Sequence, residues 1–300
     1  MLTGIHFILT YTCNFECDHC FLHCSPSAQG TFSIDQVVSV LDEAVKQGSI
    51  EWIFFEGGEP FVFYPLLGEG VRQASARGFK VGVVTNAYGA TTKADARLWL
   101  EPLAAAGLSH LSVSDDAFHH GDNRDNPAAV AHATAVEMGI DVAAIAIGPP
   151  RVEAPADPEA GRGQPVIGGG AKFRGRAVET LTKGLPLRPW RILTQCPYED
   201  LAAPSRVHVD AYGHVHLCQG ISMGNLWETP LSELAAAYSG ESHPICGPLL
   251  SGGPAALAEA LGVRPEDGYV DECHLCYLCR KEKRGAFPDL LAPAQVYGRG

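Results

Sequence analysis

Residues 11–24 read YTCNFECDHCFLHC, and their reading decides how the rest of the chain is understood. Cys13, Cys17 and Cys20 are spaced C-x3-C-x2-C, with Cys24 four residues beyond, and they follow the apolar run Ile5 to Leu9, which reads as a strand. Zinc sites and ordinary iron-sulfur clusters are closed by four protein ligands, so three thiolates on one short loop leave a metal position open for chemistry. The plain alternative is a zinc knuckle or a set of buried thiols.

Outward from this loop, strand and helix patterns alternate. Ser33-Ile34-Asp35-Gln36 is a capping box before VVSVLDEAVKQ and the terminal Gly48. Glu51 to Phe55 is a strand that runs into Glu56-Gly57-Gly58-Glu59-Pro60. Helical segments at 64–77, 93–106 and 127–138 alternate with strands at 79–85, 108–114 and 140–147. Strands separated by helices imply right-handed βαβ units and a parallel sheet. With no dinucleotide fingerprint after the first strand, the pattern favours a barrel-like sheet over a doubly wound one. The cysteine loop, the Gly-Gly-Glu turn and LSVSDD at 111–116 all fall at C-terminal strand ends, where parallel barrels build their sites.

A chain of 300 residues with 46% apolar residues can fill a real core. Its net charge of −12, without a basic run, argues against nucleic acid as a partner. No apolar stretch is long enough to span a membrane and no signal peptide opens the chain, so the expectation is a cytoplasmic protein without a membrane partner. In a reducing compartment its ten cysteines are better read as metal ligands than as disulfides. Four lie in the first loop and six beyond residue 195, which points to two separate centres.

C-x3-C-x2-C after the first strand, followed one βα unit later by Gly57-Gly58-Glu59-Pro60, resembles the signature of the radical S-adenosylmethionine (radical SAM) superfamily. The resemblance implies a partial (β/α)6 TIM-like barrel, open on one side, whose 4Fe-4S cluster is held by Cys13, Cys17 and Cys20. It also implies reductive cleavage of SAM to a 5′-deoxyadenosyl radical that abstracts a substrate hydrogen. Electrons would come from an external donor such as flavodoxin or ferredoxin. Gly57, Gly58, Glu59 and Pro60 would meet the SAM amino group, His19 the adenine, and Ser112, Ser114 and Asp115 the ribose. Asp116, His119 and His120, with Phe118 at the same strand end, could deprotonate or hold substrate; the bland reading there is a polar loop with capping Asp residues. Residues 149–170 are Pro- and Gly-rich, a linker or a loop over the barrel mouth, and KFRGRAVETLTKG resembles the last barrel strand and helix of the superfamily.

At the C-terminal end, Val207, Val209, Val215 and Leu217 alternate around Ala211-Tyr212-Gly213-His214 as in a hairpin that ends at Cys218. Met223-Gly224-Asn225-Leu226 then leads through Pro230 into a helix, and Cys273-x2-Cys276-x2-Cys279 closes the set. This resembles the twitch/SPASM extension of radical SAM enzymes. The expected division is a barrel at 1–188 and a small α+β iron-sulfur domain at 189–300. By analogy with a dehydrogenase of the twitch class, a second, auxiliary 4Fe-4S cluster is expected on Cys196, Cys218, Cys273 and Cys276. Cys279 could replace Cys276 or lie just outside the cluster, Cys246 is structural, and a zinc site on the same thiols is the alternative.

The expected function is oxidation or crosslinking of a small molecule or peptide. The barrel strand starting at residue 5, without the N-terminal recognition domain of many peptide-modifying relatives, weakens the peptide reading unless another chain supplies recognition. A maturase of a ribosomally made peptide is the runner-up, and a non-enzymatic electron carrier or zinc-binding protein the alternative of another class.

Overall fold

The structure, a computed structural model, describes residues 1–123, 125–153 and 166–298. The middle of the Pro- and Gly-rich stretch, 154–165, lies outside the described residues. Strand β1 (Gly4–Thr10) is followed by α1 (Ile34–Gln47), β2 (Trp52–Gly57), α2 (Tyr64–Ala76), β3 (Lys80–Thr85), α3 (Lys93–Ala106), β4 (Leu108–Ser114), the single turn α4 (Ala117–His120), α5 (Pro127–Glu137) and β5 (Asp141–Ile145). The expected boundaries hold to within two residues because the local signals operate as read. Ser33 and Gln36 cap α1 reciprocally at 3.2 and 2.9 Å, and Gly48 ends it at φ 71°. Thr92 caps α3, and Gly107 stops it at φ 107°.

β1 to β5 pair in parallel and in order, and their alternation separates two faces. Ile5, Phe7, Leu9, Ile53, Phe55, Val81, Val83, Leu111 and Val113 join Val37, Val40, Leu41 and other helix residues in one buried core. His6, Ile8, Glu56, Val84, Ser112 and Ser114 occupy the opposite, concave face of the sheet. β5 is largely exposed and forms one open edge. The eight-stranded mixed sheet is consistent with a partial TIM barrel.

The sixth parallel strand does not come from residues 172–184. There the chain first makes a small hairpin of β6 (Arg151–Glu153) and β7 (Val166–Gly168), and only an isolated bridge links Gly148 to Gly170. It then turns through the single-turn α6 (Ala177–Thr180). The physical reason is that Gly175-Arg176 packs on the cysteine loop instead of on β5. A Cβ on Gly175 would stand 2.4 Å from Phe21 Cα, and Arg176 N donates to Cys20 O at 2.9 Å.

After β8 (Arg188–Pro189), the strand β9 (Arg206–Asp210) takes the other side of β1, also in parallel. β10 (His214–Cys218) and β11 (Ile221–Asn225) continue the sheet antiparallel, in the order β11-β10-β9-β1-β2-β3-β4-β5. β9 and β10 are the expected hairpin. β11 was not legible, because Gly224 at φ 150° and an irregular register break its alternation. The sheet therefore runs across residue 188, the boundary read from the sequence. Helices α7 (Leu231–Ala237), α8 (Cys246–Ala260, broken at Gly252 and Gly253) and α9 (Glu272–Lys283) follow, with β12 (Gly268–Tyr269) paired to β8. The apolar residues of α8 and α9 form a second core together with Tyr11, Leu22, Cys13 and Cys24, whereas Leu231 of α7 joins the first. Among the described residues no helix is long and apolar enough to cross a membrane.

Candidate active site

The cysteine loop leaves the C-terminal end of β1 and is held from four directions. Tyr11 Oη donates to Asp210 at 3.0 Å, and Thr12 Oγ1 to Ala28 O at 2.7 Å. Arg176 donates from Nη1 to Cys17 O and from Nη2 to Cys24 O, both at 2.8 Å. Gln295 Nε2 donates to His23 O at 2.8 Å. Cys13, Cys17, Cys20 and Cys24 all line a cavity of about 350 Å³ shared with Phe15, His19, Glu56, Gly57, Gly58, Asn86, Ser114, His119, Ile147 and Lys172. Burial pushes the Cys13 and Cys17 thiols up to about 12, so they ionise only when a metal replaces the proton. Cys20 is shifted the other way by hydrogen bonds from the Cys24 thiol and, at 3.4 Å, the Cys24 amide.

The Gly57-Gly58 turn lies directly on the base of this loop. Gly58 N donates to Thr10 O at 2.7 Å and Glu59 N to Thr12 O at 3.0 Å. A Cβ on Gly58 would stand 2.1 Å from Thr12 O, and one on Gly57, at φ 127°, 2.5 Å from Thr10 O. The glycines thus let two backbones of the same chain meet, and they line the cavity as well. Glu59 differs from its expected place. Its carboxylate is fully buried and accepts from Thr85 Oγ1 and Asn86 N, both at 2.7 Å, and from Phe61 N at 3.0 Å. It faces the body of the protein and is not part of the cavity wall; burial raises its pKa to about 7. Pro60 starts the 3-10 turn Pro60–Phe63 and also stands off the wall.

At the end of β4 the expected group divides. Ser114 lines the cavity, whereas Ser112 sits lower, hydrogen-bonded to His110 Nε2 at 3.0 Å, and Asp115 accepts from Asn126 Nδ2 at 2.6 Å. Asp116 was a candidate base, but its Oδ1 caps α4 by accepting from Phe118 N and His119 N and also takes His119 Nδ1 at 2.8 Å. Oδ2 takes Ile147 N at 3.2 Å, so the carboxylate is spent on structure. Burial works to raise its pKa and His119 more than offsets this, leaving it below the ordinary value. His119 lines the cavity; His120 does not, and its buried Nε2 has no hydrogen-bond partner among the described residues. His19 packs on Phe118 with centroids 4.6 Å apart and on His119 at 5.2 Å, and burial lowers its pKa to about 4.

Cys196, Cys218, Cys273 and Cys276 line a second, small cavity together with Arg174 and Arg280. Arg174 Nη1 donates to Cys218 Sγ at 2.8 Å. Both guanidinium Nε donors are buried without a partner among the described residues, which suits an anionic group in their midst. Cys279 is buried in the apolar core outside this cavity. On α9, Cys273 and Cys276 are three residues apart and share a face, while Cys279 is turned about 120° from Cys273. Cys246 is fully buried and not in the cavity wall. Among the described residues no three thiols, at either centre, stand within 4.8 Å of one another. A zinc tetrahedron with Zn–S of about 2.3 Å needs sulfurs about 3.8 Å apart.

Sequence reasoning missed Arg174 and Arg176, whose Gly-Arg-Ala context was noticed but placed on a strand. It also missed Asn86, which bridges Asn14 Oδ1 at 2.9 Å and Cys13 Sγ at 3.9 Å. No local pattern marks Asn86; its role exists only once β3 lies beside the loop.

The family model described as the Radical SAM superfamily matches residues 7–151. The chain is 31% identical over 116 residues to a tungsten-containing aldehyde ferredoxin oxidoreductase cofactor-modifying protein of Pyrococcus furiosus, covering 38% of this chain and 31% of that one. It is 24% identical over 107 residues to the putative peptide biosynthesis protein YydG of Bacillus subtilis (36% and 34%), and 39% identical over 80 residues to the antilisterial bacteriocin subtilosin biosynthesis protein AlbA of the same organism (27% and 17%). The matches span about a third or less of these relatives' lengths. In fold it is similar to BtrN, solved in complex with AdoMet and 2-DOIA, with a TM-score of 0.51 and 14% identity over 78% of this chain and 82% of that chain. Residues 7–151 are thus a radical SAM domain.

Proposed function

We propose that Cys13, Cys17 and Cys20 hold a 4Fe-4S cluster that binds SAM, and that Cys196, Cys218, Cys273 and Cys276 hold an auxiliary 4Fe-4S cluster, the two serving oxidation or crosslinking of a substrate. When bound, the first cluster and SAM supply a one-electron reduction that yields a hydrogen-abstracting 5′-deoxyadenosyl radical. The observation that carries this reading is the single cavity at the C-terminal strand ends, lined by the three thiols, the Gly57-Gly58 backbone, Ser114 and Lys172.

The chain's own groups divide the work of binding. Backbone carbonyls at Gly57 and Gly58 accept from an ammonium, the Ser114 hydroxyl serves ribose, and the His19–Phe118 pair offers a flat face to adenine. Lys172, partly buried beside Tyr198, offers a cation to a carboxylate. At the second centre, ligation by four thiolates leaves no iron open to substrate, which favours electron transfer, and Arg174 and Arg280 stabilise the negative charge there. Domain 189–300 accordingly acts as an electron-handling extension, with an external donor such as flavodoxin or ferredoxin priming the first centre. Two relatives named for peptide or bacteriocin biosynthesis favour a peptide substrate over a small molecule.

The test is anaerobic reconstitution with iron and sulfide, then dithionite and SAM. We expect about eight iron per chain from two four-iron clusters and formation of 5′-deoxyadenosine. A cluster-loaded sample that forms none sinks the radical reading. Peptides encoded beside the enzyme are then added and weighed by mass spectrometry; turnover that alters small-molecule alcohols and none of these peptides reverses the substrate assignment.

A further inference from the structure

Three side chains converge on the concave face of the sheet, apart from both sets of thiols. His6 on β1 and His208 on β9 are paired across the parallel register, and Glu56 stands at the end of β2. His6 Nδ1 lies 3.2 Å from Glu56 Oε2, and His208 Nε2 lies 3.1 Å from Glu56 Oε1. The ligand-capable atoms of all three fall within 4.8 Å of one another. Phe54 stacks on His6 at 4.6 Å and holds its ring in place. His208 is 6% exposed, whereas Glu56 opens into the cavity that the cysteine loop lines.

As a hydrogen-bonded cluster alone, this arrangement does not close. Glu56 is half-buried, and its ion-pair partners among the described residues are the two imidazoles, with no Lys or Arg. If both imidazoles donate to Glu56, His208 Nδ1 becomes a buried acceptor without a donor among the described residues. Buried polar atoms without partners cost free energy and call for an explanation.

We propose that His6 Nδ1, His208 Nε2 and Glu56 form a divalent transition-metal site whose open positions face the cavity and take an oxygen donor of the substrate. Two imidazoles and a carboxylate suit Zn²⁺, Co²⁺ or Fe²⁺ and are poor for Mg²⁺ or Ca²⁺. Ligand atoms at about 2.1 Å from one tetrahedral metal stand about 3.4 Å apart, near the 3.2 and 3.1 Å that Glu56 makes with the two rings. A divalent cation neutralises the carboxylate. Each neutral ring binds metal by moving its proton to its other nitrogen, so none need leave the protein. Metal binding here does not rest on the radical reading, although the access of substrate to it does.

The probe is Co²⁺, titrated anaerobically into enzyme whose thiols are already occupied by iron-sulfur clusters. The expected result is one additional Co²⁺ per chain, with weak d–d absorption and no intense thiolate charge-transfer band. His6→Ala and His208→Ala should each weaken binding at least tenfold at unchanged iron content, and His110→Ala should not. Cobalt-edge X-ray absorption of the wild type, which needs no variant to fold, should show imidazole and oxygen neighbours without sulfur. Absence of the extra Co²⁺, binding untouched by both substitutions, or sulfur in the cobalt shell overturns the site.

Discussion

Cys24 reaches Cys20 through both its amide and its thiol, so the fourth cysteine of the loop supports a ligand without needing to be one. Cys24→Ala is expected to keep about four iron at the first centre, measured in a chain whose second centre is disabled; loss of that iron would make Cys24 a ligand. Glu59 carries the clearest pH signature. Burial raises its pKa in the folded state from the ordinary 4.5 to about 7, so its contribution to stability is full below 4.5 and is lost as pH rises through 7. The loss amounts to about 3 kcal/mol. Glu59→Gln removes that slope: denaturation of metal-free protein at pH 5 and pH 8 should show the wild type losing stability relative to the variant, and parallel curves would refute the assignment. The three cysteines proposed as ligands stand out in the sequence because their spacing is local. The directions of Glu59 and Asp116 were not, since they depend on Thr85, Asn86 and Ile147, which reach them only through the assembled sheet.

Among the elements, α9 and the segment 170–176 carry the most consequence. The helical turn sets Cys273 and Cys276 on one face and Cys279 on another, a distinction invisible in a C-x2-C-x2-C string until it is known to be helical. Cys276→Ser should lower the iron of the second centre below half, while Cys279→Ser should leave it unchanged; the reverse result would exchange their roles. Gly170 and Lys172 line the first cavity, Arg174 lines the second, and Arg176 clamps the cysteine loop. Composition gave that stretch a Gly-Arg-Ala look without saying what it touches. Strand alternation and helix caps were readable for β1 to β5 because each is a property of consecutive residues. β11 and the pairing of β9 with β1 were not, because strand order is a long-range choice.

At the scale of the molecule, the two thiol groups belong to different stretches of chain yet share one sheet and one connecting segment. If they are independent centres, replacing Cys13, Cys17 and Cys20 together by Ala should leave about four iron per chain; loss of all iron would show that the second centre cannot form without the first. The placement of β9 also imposes an order on biosynthesis. β1 gains β2 once residue 57 is made, but its other flank stays bare until Arg206–Asp210 has been translated. The grip of Gln295 on the cysteine loop comes later still. A nascent chain therefore carries an unpaired strand edge over the roughly 150 residues made between β2 and β9. The cysteine loop is fully anchored only once residue 295 has been added.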